Sequence, residues 1–162
     1  MAVDQFAADL GHPGPADPQP VAIDRAGVDR CFGCGTGNPN GLRLRFERYD
    51  DGTVEVRHHT DPDHCGLDSV VHGGIQATVL DEVMGVAAQL ALPPEASDLA
   101  CVTAEMHLRY RRPVPMTDEL VARARVERVD TPDFFVVGAI VGSDGEHLTE
   151  ASSRWRQLRV PN

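Results

Sequence analysis

Val71-His72-Gly73-Gly74-Ile75-Gln76-Ala77-Thr78-Val79-Leu80-Asp81-Glu82 opens an apolar stretch that runs to about Leu92. From Ile75 onward it holds no proline and no glycine except Gly85, and its Ala, Leu, Val and Met content favours helix over strand. Its start is unusual: two glycines stand where Ser, Thr or Asp would be the ordinary cap. Glycine costs backbone entropy there, and the usual reason to accept that cost is close approach of another group to the main chain. A helix start also offers unpaired N–H groups and the positive end of the dipole. Gly73 and Gly74 therefore make a place for a developing negative oxygen.

At about 100° per residue, Ile75, Val79, Leu80, Val83, Val86 and Leu90 gather into a core face. Asp81 falls opposite, with Gly74, Ala77, Thr78, Met84, Gly85 and Ala88 as its neighbours along that side. A solvent face would carry several charges, whereas small residues surround this acid. Another chain or a ligand is expected to cover that side, leaving Asp81 partly dry and its pKa open to tuning. Glu82 shares its sector with Thr78 and Gln89 and reads as the more ordinary acid, so the chemical role goes to Asp81.

The 162 residues, 41 % of them hydrophobic and 5 % aromatic, suffice for one domain with an aliphatic core. The net charge of −10 argues against nucleic acid or an anionic membrane as partner. All 15 basic residues are Arg; none falls between Arg57 and Arg109, while Arg109, Arg111 and Arg112 cluster. No signal-like start and no apolar run of the ~18 residues a span requires appear, so a cytoplasmic protein with reduced cysteines is expected.

Residues 1–27, with Pro13, Pro15, Pro18 and Pro20, read as an extension, and 28–162 as the domain. Cys31-Phe32-Gly33-Cys34-Gly35, followed by Asn38-Pro39-Asn40-Gly41, is turn-dense. C-x-x-C-G resembles half a zinc knuckle, but a structural zinc needs four ligands. The nearest residues to complete it, His64, Cys65 and Cys101, lie in no second paired motif. The segment is read as a packed turn, with no metal and no cofactor expected. Alternation predicts a hairpin over 42–50 and 53–60 around Asp50-Asp51-Gly52. A loop over 61–70 carries His64, Cys65 and Asp68 to the helix. After Pro93-Pro94, four strands are expected at 100–111, 119–129, 134–142 and 148–159. A hairpin, one long helix and four further strands make an α+β layout in which one curved sheet buries the helix, the hotdog arrangement.

Val71-His72-Gly73-Gly74, an acid nine positions after the His, and the strand Val102-Thr103-Ala104-Glu105-Met106-His107-Leu108-Arg109-Tyr110-Arg111-Arg112-Pro113 together resemble the acyl-CoA thioesterases of the hotdog superfamily, PaaI type. The Cys31 to Leu42 segment resembles the N-terminal signature of one branch of that group. The resemblance implies hydrolysis of an acyl-CoA or other acyl thioester in a site shared by two subunits of a homodimer, with a dimer of dimers left open. It assigns the Gly73 N–H to the thioester oxygen and Asp81, from the partner chain, as general base or nucleophile. Thr103 places the water or the carboxylate. By the same resemblance His72, Gly74, His64, Cys65 and Glu82 are expected to line the substrate, and Arg111 and Arg112 are candidates to meet the CoA phosphates. One departure stands out: relatives carry an amide side chain six or seven residues before the His, where this chain has Gly66 and Cys65. That departure keeps open a non-catalytic acyl-CoA or small-ligand binding protein on the same fold.

Overall fold

The computed structural model describes residues 10, 19–21, 29–95, 98–116 and 119–159. In chain order the strands are β1 Gln19–Pro20, β2 Phe46–Arg48, β3 Val54–His58, β4 Cys65–Leu67 and β5 Val70–Val71, before the helix α1, Gly73–Leu90. They continue as β6 Leu99–Tyr110, β7 Leu120–Asp130, β8 Asp133–Val141 and β9 His147–Arg159. Seven of these form one antiparallel sheet in the order β1-β2-β3-β7-β8-β9-β6, and β4 pairs with β5 separately. One long helix lies against a large antiparallel sheet, which is the hotdog arrangement expected from the sequence.

The four strands after the helix fall within a residue or two of their expected positions, because each break carries a turn signal. Gly145, for example, turns between β8 and β9 with φ +81°. The first hairpin is shorter than expected. Leu42 and Leu44 are buried, yet they donate main-chain hydrogen bonds to the carbonyls of Phe32 (2.8 Å) and Gly33 (2.9 Å) rather than joining β3. Their alternation reported burial, not strand pairing. The consequence is that the Cys31–Cys34 turn is tied to the core by the segment that follows it.

Apolar burial holds the helix to the sheet. Val79, Leu80, Val83 and Met84 are fully buried against β7 and β8 residues such as Ala122, Ala124, Phe134, Val136 and Ile140. Gly138 allows that approach, since a Cβ there would stand 3.0 Å from the Met84 side chain. Met84 and Ala88, expected on the small face around Asp81, are each 0 % exposed, while Ile75 and Leu90 are half-buried. The curved sheet covers a wider arc of the helix than a flat core face would, so its buried stripe is broader than the periodicity implied.

On the opposite face of β8, Val137, Ala139 and Val141 are covered by Leu10, which is 2 % exposed, and by Val121. Part of residues 1–27 thus lies on the sheet; most of that segment is outside the described residues. Among the described residues β6 forms the far edge of the sheet, paired only with β9, and Val102, Thr103, Ala104 and Glu105 are exposed along it. Among the described residues, no helix is long and apolar enough to cross a membrane.

Candidate active site

The helix start is built by side chains that hold its backbone. His72 is the cap: its Nδ1 accepts from the Gly74 N–H at 2.9 Å. The sequence showed no Ser, Thr or Asp there, and an imidazole nitrogen does the same work. The Gly74 amide is therefore already used, and Gly73 is the glycine whose N–H has no acceptor inside the helix. The Tyr110 hydroxyl donates to the Gly73 carbonyl at 3.0 Å, and its ring lies 3.5 Å from where a Gly73 Cβ would stand.

Gln76, 4 % exposed, fixes the same turn from inside. Its Nε2 donates to the Val71 carbonyl at 2.8 Å, and its Oε1 accepts from the Thr149 hydroxyl at 2.6 Å. Periodicity assigns Gln76 no role, although a lone amide beside a core stripe is such a signal. Gln76→Leu strands both buried partners. It should lower unfolding free energy by about 1–3 kcal/mol in urea melts, the cost of unpaired buried groups.

Asp81 lies on the opposite end of the first half of the helix. It is half-buried, and the Thr103 hydroxyl donates to its Oδ1 at 2.8 Å. Burial pushes its carboxyl above the ordinary value of 3.8; the Thr103 hydrogen bond opposes this, and the charge of Glu82 adds to it. A cavity beside it is lined by Cys34, Asp81, Glu82, Gly85, Val86, Cys101 and Trp155. Trp155 is one of its walls: it packs on Gly85, where a Cβ would come within 2.7 Å of the indole, and its Nε1 donates to the Ser153 hydroxyl at 2.8 Å.

The other expected residues separate into groups. Glu82 reaches the Cys31–Cys34 turn, where the Cys31 thiol donates to its Oε1 at 3.4 Å. Burial and the neighbouring Glu82 charge push the Cys34 thiol well up. His64 stacks on His58, centroids 5.7 Å apart, and its Nδ1 accepts from the Asp61 N–H. Its carbonyl accepts from the His72 N–H at 2.8 Å, so His64 supports the helix start through its main chain. Cys65, on β4, is exposed and pairs with Val71. Arg111 is ion-paired with Glu150 at 2.8 Å and Arg112 with Glu146.

Gly73 and Asp81 stand eight residues apart on one helix. At about 1.5 Å rise per residue, that is roughly 12 Å, several times the reach of a single carbonyl group. Gly73 and Asp81 of a single helix therefore cannot reach one carbonyl together.

A model of the thioesterase superfamily matches residues 68–147, which include the helix, Asp81 and Thr103. Acyl-coenzyme A thioesterase THEM4 of Mus musculus is 28 % identical over 94 residues, 57 % of this chain and 38 % of that protein. The chain thus spans well under two thirds of the mouse protein's length. A Bacillus halodurans protein solved with CoA is 28 % identical, with a TM-score of 0.64 over 74 % of this chain and 77 % of that one. The E. coli PaaI protein of the phenylacetic acid degradation operon superposes with a TM-score of 0.62 over 74 % of this chain and 84 % of that one, at 17 % identity, a likeness of fold. The resemblance to the hotdog thioesterases holds over this segment.

Proposed function

We propose that this chain, with the thioesterase-superfamily segment in a hotdog fold, hydrolyses an acyl-CoA or a related acyl thioester. The observation that carries this reading is the pair of half-sites on α1: a glycine amide at the helix start and a half-buried, hydroxyl-held carboxylate two turns on. Thioester hydrolysis calls for these two functions, an oxyanion donor and an activated water.

The Gly73 N–H of one protomer donates a hydrogen bond to the thioester oxygen, which gathers negative charge as the carbonyl becomes tetrahedral. Asp81 of the second protomer removes a proton from water, whose oxygen forms the new bond to the carbonyl carbon. The C–S bond then breaks, and the thiolate takes up a proton. Because Thr103 occupies Oδ1, the other carboxylate oxygen faces the water. Asp81 attacking the carbonyl carbon itself is the alternative first step, and single turnover in labelled water separates the two by where the label appears. Arg111 and Arg112 approach the CoA phosphates only by sharing or releasing Glu150 and Glu146. The exposed β6 edge is the surface on which two copies of the chain pair, since its open N–H and C=O groups suit a second strand. The protein is placed in the cytoplasm on this reading.

Mixing two inactive variants tests the shared site. Gly73→Pro and Asp81→Asn chains, co-refolded, should regain turnover, because each mixed dimer holds one site with both groups intact. A monomer by light scattering, or no recovery on mixing, rules the shared site out. Tight CoA-ester binding by wild type without turnover supports the binding-protein alternative instead.

A smaller effect follows from Thr103. Thr103→Val leaves Asp81 without its 2.8 Å donor. The expected result is about a 10-fold fall in kcat, the scale of one charge-assisted hydrogen bond of ~1.5 kcal/mol, with KM little changed; steady-state kinetics on one acyl-CoA measures it.

A further inference from the structure

We infer that Cys31, Cys34 and Glu82 form a site for one divalent cation of the zinc class, which clips the N-terminal turn onto α1. The two Sγ atoms and a Glu82 carboxylate oxygen lie within 4.8 Å of one another. A tetrahedral zinc with bonds of about 2.0–2.3 Å holds its ligand atoms roughly 3.5–3.8 Å apart. The Cys31 Sγ and Glu82 Oε1, at 3.4 Å, come close to that spacing. Thiolates select borderline and soft cations over magnesium or calcium. Three protein ligands leave the fourth position to water, so the site is of the open kind rather than the closed four-ligand kind of a structural zinc.

The sequence alone reads the C-x-x-C-G turn as packed and metal-free, since the nearest residues to complete a site, His64, Cys65 and Cys101, lie in no second paired motif. The fold instead supplies Glu82. His64 and Cys65 are held at the helix start, and the Cys101 thiol donates to the Ala88 carbonyl. The turn is shaped for this neighbour. A Cβ at Gly33 would stand 2.2 Å from the Glu82 carboxyl carbon, so any other residue there drives the carboxylate away. The Gly35 N–H donates to the Cys31 carbonyl at 3.0 Å, which closes the turn between the two cysteines.

Charge decides between a cation and a redox pair. The cavity that Cys34 and Glu82 line also holds Asp81 and contains no Arg or His among its lining residues. Reactive dithiols rely on positive neighbours that stabilise a thiolate, whereas here two thiols face a carboxylate. A divalent cation supplies the missing positive charge. On binding, it exchanges water for two sulfurs and one carboxylate oxygen, and the two thiol protons pass to solvent. The clip joins residues 34 and 82 in sequence, so it closes a long loop. Turnover of a thioester does not require it, and its test is independent of that activity.

The test uses the full chain, reduced, stripped with a chelator and titrated with Co2+. The expected result is a thiolate-to-cobalt absorption band that saturates at one equivalent and is displaced by Zn2+. Cys31→Ser and Cys34→Ser should abolish the band, and Glu82→Gln should weaken Zn2+ binding at least about 10-fold in competition with a chromophoric chelator. Gly33→Ala, which keeps all three ligands but displaces Glu82, should weaken it as well, and Cys65→Ser should leave it unchanged. The site is overturned by an absent band, by a band that survives Cys34→Ser, or by a Cys31–Cys34 disulfide that forms in air with Zn2+ present.

Discussion

Asp81→Asn should lower kcat for acyl-CoA hydrolysis by about 10²- to 10⁴-fold, the range supplied by a positioned general base, while the protein stays folded. Asn is isosteric with Asp, and its carbonyl still accepts from the Thr103 hydroxyl, so the helix and β6 keep their contact. What disappears is the negative charge. That charge is held at a cost: burial and the adjacent Glu82 both favour the neutral carboxyl, and only the Thr103 hydrogen bond favours the ionised one. A folded-state pKa above the unfolded one means that the group weighs against folding once the pH exceeds it. At neutral pH the Asn variant should therefore melt at the same temperature as wild type or higher, even as turnover falls. Gain or constancy of stability with loss of rate marks a residue kept for chemistry. A thiol-release assay and a thermal melt on the same preparation measure both, and an Asn variant with wild-type kcat would remove Asp81 from the mechanism.

Much of this arrangement is readable from the chain because it depends on short-range signals. Glycines at 73 and 74, the prolines at 93 and 94, and the turn at 143–145 delimit the helix and two strands by local backbone preferences alone. Asp81 was marked by the small residues around it, which is also a local property. Contacts made across the sheet left weaker traces. The Tyr110 hydroxyl reaches Gly73 over 37 positions, Thr149 meets Gln76 over 73, and Cys31 meets Glu82 over 51. Such pairs depend on strand order, and no periodicity encodes it. The placing of Leu42 and Leu44 shows the same limit from the other side: alternation fixed their burial, but their partner was the upstream turn rather than the next strand. His72 as the cap was legible only in hindsight, because imidazole is an uncommon cap and its role depends on a rotamer.

Gly73→Pro isolates the second half of the proposed site, and the local geometry makes the substitution unusually clean. Gly73 is the first residue of the helix, a position where proline is favoured and its missing N–H costs the helix no bond. His72 precedes it with φ −56° and ψ 135°, the extended conformation that a residue before proline adopts. The helix should therefore survive, with circular dichroism and melting unchanged, while the amide proton proposed to meet the thioester oxygen is gone. Loss of one such donor costs about 10²- to 10³-fold in kcat. Gly73→Ala serves as the comparison. The nearest atoms to its Cβ belong to Tyr110, at an ordinary 3.5 Å, and its N–H remains, so the added methyl should raise KM by crowding the substrate and leave kcat close to wild type. A proline variant that turns over at the alanine variant's kcat would show that no hydrogen bond from this amide forms in the transition state. Equal loss in both would mean that glycine is there for space alone, and the negative charge would then have to be met by some other group at the helix start.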